Sequence, residues 1–187
     1  MPTCAIIAGP NGAGKSTVAP QLVHGLLGIN EFVNADTIAS GLAGGAPSTV
    51  ALQAGRLMLT RLHTLADSGQ SFAFETTLSS RSFAPFIKRL QAKEYVVRLV
   101  FLWLPTPEQA MARVRLRTLA GGHDLPEQTI RRRHASGLEL FHSLYSGIVD
   151  GWYVYDARAR PPGLVASREE DRETVVTDRE AWESFGR

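Results

Sequence analysis

"AGPNGAGKST", residues 8–17, decides the fold. Gly9 to Ser16 satisfies G-x-x-x-x-G-K-[ST] in full, between the apolar run Cys4-Ala5-Ile6-Ile7-Ala8 and a helical pattern from about Ser16 to Leu27. That strand–loop–helix setting is the one in which such a match forms a phosphate cradle. Glycines let backbone N–H groups converge on phosphate oxygens, and the helix start adds the positive end of its dipole. Lys15 is expected to reach the β- and γ-phosphates and Ser16 to offer its hydroxyl to Mg²⁺. The whole loop, Gly9, Pro10, Asn11, Gly12, Ala13, Gly14, Lys15, Ser16 and Thr17, is therefore the expected binding element for ATP.

Outward from the loop, the apolar run before it reads as a central parallel strand buried on both faces. "EFVNAD" reads as a strand ending at Asp36, residues 49–67 as a long helix, and "SFAFETT" as a strand ending near Glu75. A helix over 81–93 leads to "YVVRLVFLWL", the most β-like run in the chain. Pro105 and Pro107 stop that strand and open a helix, and another begins at Pro126, with Leu138, Phe141, Tyr145 and Ile148 at core-facing spacing. "GWYVYD" is the fifth strand, "ARARPPG" an exposed connection, and "TDREAWESF" a short capped helix in the polar tail 168–187 that docks Trp182 and Phe185. Five strands alternating with helices predict one three-layer α/β/α domain over 1–187, with a five-stranded parallel sheet.

Composition sets the outer bounds. At 187 residues, 44% hydrophobic and 20% charged, the chain fits one globular domain. Its formal charge is only +2, and the arginines concentrate in residues 113–133, so neither a nucleic-acid coat nor a nucleic-acid partner is expected. The single cysteine, Cys4, reads as a buried strand thiol. No apolar stretch approaches the ~18 residues of a membrane span, and the loop follows too closely on the N-terminus for a signal peptide; a cytoplasmic setting is expected.

A phosphate cradle also serves transporter-type ATPases and switch GTPases. The first class needs an apolar strand ending in adjacent Asp-Glu, but "SFAFETT" supplies one acid and "VVRLVFLWLP" none. The second needs a guanine-reading Asn/Thr-Lys-x-Asp, which is absent from the sequence. Those absences favour a kinase, with a nucleotide-dependent regulatory or transporter-type ATPase as the alternative.

In an open parallel sheet the ligand lies beyond the carboxyl ends of the strands. Two acids stand there, Asp36 and Glu75, the latter followed by Thr76, and all three are expected to contact the substrate. A carboxylate placed to take a hydroxyl proton or to hold Mg²⁺ is what phosphoryl transfer to an alcohol requires. Asp36 is assigned as base and Glu75 as a substrate or metal ligand, although Asp36 would equally suit an N-cap for "TIASGL". Arg113 and Arg117 lie four apart on one helix face, with Arg115 nearly opposite. The glycine-containing loop beside them suggests a lid over ATP, approximately 113–133. Arg131, Arg132 and Arg133 spread at ~100° steps, so at most two reach one site. His123-Asp124 lacks further ligands at metal spacing and is read as loop chemistry.

The pieces "AGPNGAGKST", "FVNADTIASGL", "FETTLSS", "RVRLRTLAGGHDLPEQTIRRR" and "WYVYD", in that order over residues 3–156, resemble the zeta-toxin family of P-loop kinases, which is similar in turn to chloramphenicol phosphotransferase. The resemblance implies a kinase with an arginine lid that transfers the ATP γ-phosphoryl to the 3′-hydroxyl of UDP-N-acetylglucosamine and is restrained by an antitoxin. It implies Lys15 on the phosphates, Ser16 on the metal, Asp36 as base, Glu75 on the acceptor, and Arg117 with Arg131 or a neighbour as phosphate clamp. Larger members carry an extended C-terminal region, so the acceptor stays open, an antibiotic or nucleoside among the alternatives. The basic "ARARPPG" segment is expected near the adenine.

Overall fold

The computed structural model describes residues 1–26, 28–42, 47–121, 125–170 and 172–186. Its strands and helices run β1 (Thr3–Ala8), α1 (Lys15–Pro20), β2 (Glu31–Val33), α2 (Ala35–Gly41), α3 (Pro47–Asp67), β3 (Phe72–Thr76), α4 (Ala84–Gln91), β4 (Val96–Trp103), α5 (Pro107–Leu119) and α6 (Glu127–Leu140). There follow α7 (Ser146–Ile148), β5 (Gly151–Asp156), β6 (Gly163–Arg168), β7 (Val175–Val176) and α8 (Arg179–Phe185).

The sheet has seven strands in the order β2-β3-β1-β4-β5-β6-β7. The first five in that order are mutually parallel, whereas β6 and β7 add antiparallel. The expectation of five strands is therefore corrected to seven. Both extra strands lie in the stretch read as connection and tail: β7 is two exposed valines, and β6 buries only Val165 and Ala166, too little apolar pattern to announce a strand.

β1 is the axis of the molecule, with Cys4 through Ala8 all at 0% exposure. Cys4, Ile6 and Ala8 face one core with Phe72, Phe74, Phe101, Phe141 and Phe185, while Ala5 and Ile7 face a second with Val23, Leu102, Met111 and Ile130. The alternation follows from the period of two along a strand, and burial on both faces explains why the run is continuously apolar.

Local boundaries have local causes. Pro20 ends α1, because proline cannot donate to the helical ladder, and the chain widens into a π-turn over Gln21–Leu26. β2 stops at Val33 and not at Asp36, because Asn34 caps α2 by accepting from the backbone N–H of Asp36 and Thr37. The capping role considered for Asp36 thus belongs to Asn34, and Asp36 is an acid in the first turn. Thr106 caps α5, whose first residue is Pro107. A π-turn over Phe141–Tyr145 joins α6 to α7, burying Phe141 and Tyr145.

At the C-terminal end Asp178 caps α8, Phe185 is fully buried, and Trp182 stacks on Trp152 with ring centroids 5.7 Å apart. α8 is therefore part of the core, whereas the residues before it in the tail are largely exposed.

Candidate active site

Strand register explains why residues far apart in sequence meet. β1 pairs with β3 so that Ile7 lies beside Glu75 and Ala8 beside Thr76; β2 pairs with β3 so that Val33 lies beside Phe74. Gly9 just past β1, Glu75 near the end of β3 and Asn34 just past β2 are thereby set side by side. Glu75 shares the strand face of Ala73, toward the helix that carries Ser16.

Glu75 is the hub. Its Oε2 accepts from the Ser16 hydroxyl at 2.8 Å and from Asn34 Nδ2 at 2.8 Å, and its Oε1 lies 3.6 Å from Lys15 Nζ. Lys15 in turn donates to the carbonyls of Gly9 at 2.9 Å and Pro10 at 3.0 Å. Lys15 and Glu75 are 6% and 12% exposed, so this ion pair is shielded from water. Burial pushes the Lys15 ammonium below its usual range; Glu75 and Asp36 counter that shift, and Arg117 reinforces it. Asp36 is exposed, yet its charge is felt by both Lys15 and Arg133.

The loop's glycines answer to geometry. Gly9 has φ +139°, and a Cβ there would sit 2.3 Å from the Leu102 carbonyl oxygen; at Gly12 it would sit 2.7 Å from that of Ala110. The loop is thus moulded between β4 and α5. Past Glu75, the turn is held by Thr76 Oγ1 accepting from Leu78 N–H, with Leu78 buried at φ 57°. Such strain in a non-glycine residue persists only where its surroundings enforce it.

The arginines divide. Arg133, half-buried on α6, donates to Asn11 Oδ1 of the phosphate loop at 3.3 Å. Burial and the neighbouring Arg132 lower its pKa, while Asp36 opposes them. Arg131 instead pairs with Glu108 at 2.6 Å, holding that carboxyl below its usual range. Arg113 donates to the carbonyls of Ala157 at 2.7 Å and Arg158 at 3.0 Å, tying α5 to the segment after β5. Arg115 on α5 pairs with Glu127 on α6. Arg117 is exposed and close enough to act electrostatically on Lys15. The structure therefore gathers Lys15, Ser16, Asp36, Glu75, Arg117 and Arg133, and places Arg113 and Arg131 on other partners. His123-Asp124 and the rest of 122–124 lie outside the described residues.

Asn34 and Arg133 are the site residues least legible in the sequence. Asn34 carries the usual signal of a helix cap, an amide residue directly before a helix with an acid two positions on; Arg133 is one of three adjacent arginines with nothing local to single it out.

The glycine cradle, the buried lysine and the Ser16 hydroxyl fit a nucleotide triphosphate. Hydroxyl and carboxylate oxygens are the hard donors that Mg²⁺ takes, and Ser16 with Glu75 supplies both. Among the described residues no group of three or more His, Cys, Asp or Glu side chains is placed to hold a metal on its own. Nor, among them, is any helix long and apolar enough to cross a membrane.

Fold and loop together define a P-loop protein of the kinase-type α/β/α class. Residues 5–138 match the AAA_33 family, an AAA domain, and the chain belongs to that family. An uncharacterized protein of Haemophilus influenzae is 27% identical over 132 residues, 67% of this chain and 88% of its own. Among solved structures, one from the PezAT chromosomal toxin–antitoxin system of Streptococcus pneumoniae superposes with TM-score 0.73 at 18% identity, over 100% of this chain and 79% of its own. A chain of the AvrRxo1-ORF1:-ORF2 complex with ATP reaches 0.78 at 20% identity; this chain is covered to 99% and spans 63% of that one. A sugar kinase from Janibacter sp. HTCC2649 reaches 0.54 at 22% identity, over 86% of this chain and 88% of its own. At these identities the likeness is one of fold, and the toxin-type resemblance read from the motifs agrees with it.

Proposed function

We propose that this protein is an ATP-dependent small-molecule kinase that transfers the γ-phosphoryl of ATP to a hydroxyl of an acceptor. The observation that carries the reading is the set of contacts on Glu75 from Ser16, Asn34 and Lys15, with Asp36 in the first turn of the helix that Asn34 caps. Lys15 and the loop backbone hold the triphosphate. Ser16 and Glu75 are the residues that would hold Mg²⁺, which when bound neutralises phosphate charge as a Lewis acid. Asp36 accepts the acceptor's hydroxyl proton as its oxygen bonds to the γ-phosphorus, while the bond from that phosphorus to the bridging oxygen breaks and ADP departs. Arg133, with Arg117, neutralises charge on the moving phosphoryl group. This supports Arg133 as the α6 clamp in preference to Arg131, which Glu108 occupies.

A UDP-sugar, UDP-N-acetylglucosamine first, is the acceptor that the zeta-toxin resemblance favours, and the cytoplasm, where ATP is abundant, is the setting. The two superposing complexes, a toxin–antitoxin system and the AvrRxo1-ORF1:-ORF2 pair, support the further proposal that a protein partner restrains this chain.

The test is incubation of the purified protein with ATP, Mg²⁺ and a panel of UDP-sugars, free sugars, nucleosides and hydroxylated antibiotics, read by mass for an added phosphoryl group. One acceptor should gain it, and Asp36→Asn should abolish the gain. ATP consumption that no acceptor alters, and that Asp36→Asn leaves unchanged, would overturn the reading in favour of an ATPase.

A further inference from the structure

We propose that Asn34 is a positioning residue that locks the two site carboxylates, Asp36 and Glu75, into one frame. Asn34 is 7% exposed, one of two buried polar or charged side chains among the described residues, the other being Lys15. Both ends of its amide are used. Oδ1 accepts from the backbone N–H of Asp36 at 2.7 Å and of Thr37 at 3.3 Å, while Nδ2 donates to Glu75 Oε2 at 2.8 Å. One planar group thus sets the start of α2, and with it Asp36, relative to the carboxylate on which Ser16 also converges.

Capping alone does not call for asparagine. Asn, Asp and Ser serve almost equally as N-caps, because the cap needs only an acceptor oxygen. The contact with Glu75 needs a donor as well, and an amide is the side chain that offers an acceptor on one arm and a donor on the other. Aspartate would cap α2 but set a second carboxylate against Glu75. Serine would cap it but present no amide to Glu75. The identity of residue 34 is therefore dictated by the site, not by the helix.

The inference rests on the phosphotransfer reading, and its test separates the two. Asn34→Ser and Asn34→Asp keep the cap; Asn34→Ser is expected to fold with a melting temperature close to that of the parent, whereas Asn34→Asp, which sets a second buried carboxylate against Glu75, is expected to melt lower. With an acceptor identified by the acceptor screen, kcat should fall by ~10–100-fold, the usual effect of losing a partner that orients a functional ligand, and KM for Mg²⁺-ATP should rise with the lost Mg²⁺-dependent affinity. Independently of turnover, a fluorescent ATP analogue measures nucleotide affinity with Mg²⁺ and with EDTA. Asn34→Ser should lose much of the Mg²⁺-dependent gain while binding in EDTA stays at the parental level. Unchanged kcat and an unchanged Mg²⁺ gain in Asn34→Ser would overturn the proposal. So would an equal fall in melting temperature, EDTA binding and kcat, which would mark Asn34 as structural only. If the parent binds Mg²⁺-ATP but phosphorylates nothing, the phosphotransfer reading fails while the affinity arm still decides the role of Asn34.

Discussion

Gly137 offers a direct probe of how α6 is seated over the site. A Cβ built on Gly137 would stand 2.8 Å from the carbonyl oxygen of Thr77, in the turn that follows Glu75. Ordinary carbon–oxygen packing needs about 0.6 Å more, and the obstacle is backbone, so the helix itself must move in Gly137→Ala. Alanine in place of a mid-helix glycine normally stabilises by ~0.8–1.0 kcal/mol. An extra methyl forced into a packed contact costs ~1–3 kcal/mol. The net expectation is a loss of about 1 kcal/mol, the propensity gain being outweighed. Gly55 in α3 is the control, since a Cβ there meets nothing within 4 Å; Gly55→Ala should stabilise by ~0.5–1 kcal/mol. Because α6 carries Arg133 to Asn11 at 3.3 Å, the same displacement should weaken ATP binding in Gly137→Ala and not in Gly55→Ala. Urea unfolding with constant m-value gives the stabilities, and nucleotide titration gives the affinities. Equal stabilisation by both substitutions, with ATP affinity intact, would refute the close seating of α6 on the Thr77 turn.

Phe185→Ala should cost ~3–5 kcal/mol in urea unfolding, since Phe185 is fully buried against Phe101, Trp103 and Phe141 at centroid distances of 5.8, 5.7 and 5.2 Å; a loss below 1 kcal/mol would mean that α8 is not part of the core. Arg133→Met should weaken ATP binding or lower kcat about tenfold or more, given ~1.5–3 kcal/mol for a hydrogen bond to a charged group. Arg131→Met, which breaks only an exposed pair with Glu108, should stay within about threefold, and the reverse ranking would contradict the assignment. Tyr153 is pushed up to about 12 from 10.0, first by burial and then by its hydrogen bond to Glu169. A phenol whose folded pKa is raised contributes stability in full below pH 10 and loses it as pH climbs to about 12. Wild type should therefore lose stability relative to Tyr153→Phe across that window, and a constant difference would count against the buried phenol.

The phosphate loop and its two flanking elements were legible because phosphate binding needs particular residue types at fixed spacing, and because β1 carries its burial as an unbroken apolar run. The α8 helix was legible from Asp178 and the aromatic pair Trp182 and Phe185. β6 and β7 were not, since an antiparallel edge strand is stabilised by its neighbour's backbone and needs little hydrophobic pattern of its own. Within the site, Glu75 stands near a strand end, where the rule that strand ends face the ligand expects it, whereas Asp36 lies past the end of β2 in the first turn of α2. What escaped was their connection: the sequence places Asn34 inside a strand and offers Asp36 as the cap, and the hydrogen bond from Asn34 to Glu75 exists only once β2 lies against β3 in register. Arg133 was hidden for a similar reason. Helical spacing separates three neighbouring arginines by angle, but only the docked position of α6 decides which one reaches Asn11.

The central claim is that Asp36 and Glu75 act on a hydroxyl and a metal-bound triphosphate held at Lys15. Single-turnover transfer of labelled γ-phosphoryl to the acceptor, for wild type, Asp36→Asn and Glu75→Gln, tests it most directly when paired with ATP affinity. The account predicts that Asp36→Asn binds ATP as wild type does yet transfers ~10²–10⁴-fold more slowly, the usual contribution of a general base, and that Glu75→Gln loses transfer together with the Mg²⁺-dependent part of its ATP affinity. Transfer by Asp36→Asn at the wild-type rate would contradict it.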